Sequence, residues 1–171
     1  MVLKIALICI LLASGAESVK EEKPMLKIPY RPKEVGHCYE RLKEASPVYQ
    51  KAVAEIQTTL GSGSDFNERL QKSMEIHRAA REQGKKEPRR HTWIEEDIYL
   101  CCLYDVLEAA IANEAETIIQ SKDSKEVKEK RLDGLGQSIE SLTFGSPQYR
   151  TGIKPRFQEK VLDARKRLAE D

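Results

Sequence analysis

The run Ile98–Ile111 constrains this chain more than any other feature, because twelve of its fourteen residues are apolar or aromatic. A helix that is apolar nearly all round must be contacted by several neighbours. Elsewhere a third of the residues are charged, and no segment alternates apolar and polar residues over a useful length. We therefore predict an all-α, single-domain bundle of five or six helices around a long apolar central helix at about 93–120.

The other helices are indicated by apolar residues at helical spacing that follow capping residues. Ser46-Pro47, the Ser64/Asp65 pair and Ser124 are the helix openers, and Thr92 with Glu95 forms a capping box for the central helix. The predicted buried stripes are Tyr49, Ala52, Val53, Ile56 and Leu60; Phe66, Leu70, Met74, His77 and Ala80; Val127, Leu132, Leu135, Ile139 and Leu142; and Phe157, Val161, Leu162, Ala164 and Leu168.

The first residues predict the cellular compartment. Lys4 precedes the apolar run Ile5–Ala13, and small residues then lead to a cleavage position after Ala16, which is the pattern of a secretory signal peptide. We predict a signal peptide at 1–16, an extended or disordered arm at 17–33 that contains three prolines, and a helical domain at 34–171. The mature chain is expected to be secreted, soluble and extracellular.

The charge balance predicts which partners this chain does not favour. Without the leader, 29 minus 1 leaves 28 basic residues against 28 acidic ones, so the formal net charge is zero. Such a balance favours neither nucleic acid nor a membrane surface as a partner.

Three cysteines remain after the leader, an odd number for a secreted protein. Cys101 and Cys102 are about 100° apart on one helix and cannot join without breaking its geometry. Cys38 lies on an apolar stripe, so we favour a Cys38–Cys102 disulfide, with Cys101 as the alternative partner. The remaining cysteine is expected to be a buried thiol, and the alternatives are an intermolecular disulfide that joins two copies and, last, a reactive nucleophile.

The sequence lacks the motifs of the common enzyme classes. None of the three histidines His37, His77 and His91 has a second histidine at the spacing of metal ligands on a helix. Neither GSGSD nor DGLGQS completes a glycine-rich phosphate-binding fingerprint. We therefore expect no catalytic residue, no metal and no cofactor. Asp105 and Glu108 fall opposite the most apolar side of the central helix, where they either meet solvent or pair with Lys or Arg of a neighbouring helix.

The first functional hypothesis is a non-enzymatic protein that binds a macromolecule. Its basis is a basic loop formed by Lys85, Lys86, Arg89, Arg90 and His91. Such a cluster is suited to a protein partner or an acidic glycan.

The alternative is a carrier of a small apolar ligand, such as a fatty acid or an odorant-like molecule, in the helical core. The residues expected to line its pocket are Met74, His77, Trp93, Tyr99 and Tyr104. The same residues would serve equally well as ordinary core, so this hypothesis depends on the space between them.

Overall fold

The structure, a computed structural model, describes residues 40–63, 65–87, 92–144 and 152–170. The predicted signal peptide, the arm at 17–33 and Cys38 lie outside these ranges. So do Arg89, Arg90 and His91 of the basic loop.

The described ranges contain five helices, a short helical turn at residues 40–42 and a π-helical turn at residues 152–153, and no strand. The helices are α1 (Pro47–Leu60), α2 (Phe66–Gly84), α3 (Thr92–Gln120), α4 (Lys125–Ser141) and α5 (Lys154–Glu170). The prediction of an all-α fold is confirmed for this part of the chain. The long apolar helix was predicted at about 93–120 and begins one residue earlier.

The predicted capping residues start three of the helices. The Ser46 side chain accepts a hydrogen bond from the Val48 amide at 3.2 Å, with Pro47 as the first residue of α1. Asp65 accepts from the amides of Asn67 and Glu68, at 2.9 and 3.2 Å, and Ser124 caps α4. These caps satisfy backbone donors that a helix start leaves without partners, each contributing about 1 kcal/mol.

Helix α3 lies where the other helices meet, since it contacts α1, α2, α4 and α5. Its residues Leu103, Val106, Leu107 and Ile111 are almost fully shielded from solvent. Burial of each such aliphatic side chain contributes about 1.5–3 kcal/mol. None of the helices in the described ranges has an apolar stretch long enough to span a membrane.

The predicted stripes are buried with two exceptions. Val127 was expected in the core and is 44% exposed, and Leu162 is 51% exposed. Val127 lies in the first turn of α4. The buried residues of that helix begin later, at Leu132. Leu162 directly follows the buried Val161, and since consecutive helical residues point about 100° apart, Leu162 is turned away from the face that Val161 buries.

The two acidic residues of the central run pair with cations of a neighbouring helix, which confirms the second of the alternatives predicted for them. The Glu108 carboxylate lies 2.5 Å from an Arg156 nitrogen and 3.3 Å from Lys160 Nζ, both on α5. Asp105 lies 4.0 Å from the same arginine. These ion pairs join the apolar helix α3 to the charged helix α5.

Candidate functional site

The residues predicted to line a ligand pocket lie in the core and contact aromatic neighbours. Tyr99 stacks on Tyr49 with ring centroids 4.6 Å apart and on His77 at 5.7 Å. Phe144 meets both His77 and Tyr104 edge-on, each at 5.2 Å. We call Tyr49, His77, Tyr99, Tyr104 and Phe144 the ring cluster. These rings contact one another in the part of the core where the predicted ligand would have to lie.

Of the two remaining residues of the predicted pocket, the structure describes the side chain of Met74 alone. Trp93 belongs to α3, but its side chain lies outside the described residues. Met74 is buried on α2 and lies at the floor of a surface cleft of 360 Å³ against the end of α4. That cleft is lined chiefly by polar groups, which suit an apolar ligand poorly: Asn67, Gln71, Glu75, Arg78, Ser138, Ser141 and Thr143.

Burial determines the chemistry of the ring cluster. Nδ1 of His77 and the hydroxyl of Tyr99 share a hydrogen bond of 3.0 Å. Loss of solvation, with smaller contributions from Arg81 and Arg78, lowers the pKa of His77 to about 4. Burial likewise raises the pKa of Tyr99 far above its usual value. Both side chains are therefore neutral at physiological pH.

Lys85 and Lys86 are the members of the predicted basic loop that the structure describes. They follow α2 directly, and Lys85 Nζ lies 2.6 Å from a carboxylate oxygen of Glu82. The pair is exposed, so it adds little stability and leaves the lysine accessible.

The preferred disulfide, Cys38–Cys102, is wrong in this structure. Cys102 carries a free thiol that is fully buried, and burial raises its pKa to about 12. A thiol in this position is protonated and shielded from solvent, which disfavours both nucleophilic attack and a bond to a second copy. The alternative partner Cys101 is only partly buried, and the pairing of Cys38 stays a prediction because Cys38 lies outside the described ranges.

An open groove of 610 Å³ lies between α4 and α5. On α5 its lining includes Pro155, Glu159 and Leu162, which recur at helical spacing along one face. The α4 side includes Gly136, whose missing side chain leaves room between the helices: a Cβ there would meet only Arg165, at 3.8 Å. Leu162 is therefore an aliphatic side chain that is half exposed within a concave surface. We call this surface the α4–α5 groove.

The rim of the α4–α5 groove carries more negative than positive charge. Its lining includes the carboxylates of Asp133, Glu140 and Glu159 and the guanidinium of Arg165, which leaves two negative charges (three minus one). Arg165 pairs with Asp133 at 2.5 Å, and Lys154, just outside the lining, pairs with Glu140. Glu159 has neither an ion-pair partner nor a hydrogen-bond partner among the described residues.

Sequence reasoning missed the α4–α5 groove because it assigned Leu162 to the buried stripe. The adjacent Val161 was the available signal, since neighbouring helical residues point about 100° apart. Which of the two faces the core depends on how α5 docks, and a single sequence does not contain that information.

Within the described ranges, no group of three or more His, Cys, Asp and Glu side chains is arranged to hold a metal ion. Comparison with protein-family models, with curated protein sequences and with solved structures finds no match to this chain.

Proposed function

We propose that the protein is a secreted, soluble, non-enzymatic helical protein that acts by binding a macromolecular partner in the α4–α5 groove. The observation that carries the proposal is Leu162, an aliphatic side chain 51% exposed in a groove of 610 Å³. Apolar groups within a concave surface with a polar rim are typical of contact sites.

The contrast with Val127 supports the choice of this surface. Val127 is also exposed, but it lies in the first turn of α4 and does not line the groove. A single exposed aliphatic side chain on a convex surface needs no functional explanation. Leu162 differs because neighbouring side chains from two helices surround it.

The carrier hypothesis has less support, because its candidate residues contact one another. Tyr99 is fully buried between Tyr49 and His77, at centroid distances of 4.6 and 5.7 Å. A ligand there would have to displace these rings and the hydrogen bond between His77 and Tyr99.

We further propose that secretion is accompanied by a Cys38–Cys101 disulfide. Cys102 is a free thiol, which leaves Cys101 as the described cysteine available to Cys38. Such a bond would tie the start of the helical domain to α3.

The function is tested by placing a photo-crosslinking residue at position 162 of the full secreted chain, with a matched chain that carries it at 127. Both proteins are irradiated in the fluid into which the natural protein is released. We expect a defined adduct from position 162 and none from position 127. An excess of unlabelled wild-type protein should prevent the adduct at 162. An excess of the Leu162→Ser variant should prevent it much less. Equal adducts from both positions, or none from 162, would contradict the proposal.

A further inference from the structure

We infer that the α4–α5 groove selects a short peptide segment of a partner protein in which an aliphatic side chain lies next to a lysine or arginine. This inference rests on the proposed function, since it names the kind of partner that the same groove takes.

The pairing of charges around Leu162 indicates this chemistry. Glu159 and Leu162 are three residues apart on α5 and therefore neighbours on its surface. The Glu159 carboxylate lacks an ion-pair partner among the described residues, whereas Asp133 and Glu140 have Arg165 and Lys154. A segment that covers Leu162 is placed beside this carboxylate, and a cation there would complete the set of ion pairs.

The charge of the whole groove points in the same direction. Its lining carries two net negative charges, and counting Lys154 still leaves one. An acidic glycan or an acidic peptide would bring like charges together, which is unfavourable when water is excluded. A basic segment gains from the same field.

The dimensions suit a segment of a few residues. The α5 face runs from Pro155 to Arg165, which is about 15 Å at the rise of an α-helix. An extended peptide of four or five residues has about this length. A partner would thus bury Leu162 with one aliphatic side chain and reach Glu159 with an adjacent cation.

The test uses the full secreted chain and three fluorescein-labelled ten-residue peptides. In the first, two leucines are flanked by lysines and glycine fills the other positions. In the second, glutamates replace the lysines, and in the third, serines replace the leucines. Binding is followed by fluorescence anisotropy at low salt and at about 1 M salt, where the Debye length is about 3 Å.

We expect the lysine–leucine peptide to bind more tightly than either control peptide. Leu162→Ser should weaken that binding at least about tenfold, because an aliphatic contact is lost. Glu159→Gln should weaken it by up to about fivefold at low salt only, as is usual for an exposed ion pair. Val127→Ser, outside the groove, should leave it unchanged.

Equal binding of the lysine and glutamate peptides, or unchanged binding by Glu159→Gln at low salt, would overturn the inference. A heparin fragment that binds more tightly than the lysine–leucine peptide and is weakened by Leu162→Ser would overturn it in favour of a glycan. If crosslinking from position 162 succeeds while the peptides show no preference, the partner class is wrong and the proposed function stands. If crosslinking fails, the proposed function falls whatever the peptides show.

Discussion

The hydroxyl of Tyr99 lies 3.0 Å from Nδ1 of His77, and the two rings stack nearly parallel in the interior of the protein. Helices α2 and α3 are joined there by a polar contact as well as by apolar packing. Because the contact is shielded from water, a charge on His77 would be poorly solvated there, and the folded state favours the neutral ring.

Protonation of His77 should make the free energy of unfolding depend on pH between 7.5 and 5, where most carboxylates do not titrate. Its pKa is about 4 when folded against 6.5 as the ordinary value, so the unfolded chain binds more protons between these two pH values. Stability is therefore fully present above pH 6.5 and is lost as the pH falls towards 4. Urea unfolding should show a loss of about 2 kcal/mol between pH 7.5 and pH 5.

The His77→Gln variant is the control for this pH dependence. It should be less stable than wild type at pH 7.5 and should lose little further stability down to pH 5. Glu116 and Asp123 also have lowered pKa values, from hydrogen bonds with Arg167 and Arg131 respectively, but their ordinary values of 4.5 and 3.8 place their effect below this window. Equal pH slopes for wild type and variant between pH 7.5 and 5 would show that His77 is not the group responsible.

Replacement of Gly84 by alanine should destabilise the fold. A Cβ at this position would lie 2.5 Å from Oη and 2.8 Å from Cζ of Tyr49. The tyrosine cannot retreat easily, because its ring stacks on Tyr99. We expect a loss of about 1–3 kcal/mol, the usual cost of overpacking, measured by thermal or urea unfolding.

Gly134→Ala is the matched control, since a Cβ there would meet no atom within 4 Å. It lies inside α4, where alanine favours the helix over glycine by about 0.8–1 kcal/mol, so this variant should be more stable than wild type. Equal stability of the two alanine variants would rule out a steric role for Gly84.

The cysteines are expected to differ in accessibility. In the folded full chain, prepared without reductant, iodoacetamide should leave Cys102 unmodified, because its thiol is buried and its pKa is raised to about 12. Unfolding in urea should expose a single thiol per chain, and tandem mass spectrometry of the digest should assign it to Cys102. Alkylation of Cys102 in the folded state would contradict its burial, and a label on Cys101 would contradict the proposed Cys38–Cys101 bond.

The free energy of unfolding should respond unequally to replacement of Glu108 and to replacement of the two cations that pair with it. The Glu108 side chain is only 4% exposed, whereas those of Arg156 and Lys160 are 40% and 33% exposed. Replacing both cations with methionine leaves a buried carboxylate without them, at a cost of about 3–5 kcal/mol. Glu108→Met leaves two cations that can reach water, and it should cost much less. Equal losses in urea unfolding would contradict this asymmetry.

The sequence predicted the helices well because their signals are local. The helix caps at Asp65 and Ser124 depend only on residues a few positions apart, and so does the buried stripe from Phe66 to Ala80. The paired state of Glu108 was anticipated as one of two alternatives, since a charge beside an apolar run needs solvent or a partner. Its actual partners, Arg156 and Lys160, are about fifty residues away, and no local pattern identifies them.

Two of the three wrong expectations have a common physical origin. Cys102 was assigned to the disulfide because it faces the apolar side of α3, and Leu162 was assigned to the core because it lies near an apolar stripe. In both cases helical periodicity gave the orientation correctly to within one residue. The choice between neighbours is made by the docking of other segments, which depends on contacts distant in sequence.

Helix α3 contacts the other four helices of the described chain. This arrangement should determine how fast its backbone amide hydrogens exchange with water. We therefore expect the amides of Val106, Leu107 and Ile111 to reach solvent only when several helices separate together. Amides in α5, which packs against α3 and α4, should exchange through smaller openings that leave α1 and α2 in place. The apolar stretch that determines the class of fold is therefore also where the free energy of opening of the folded state should be measured.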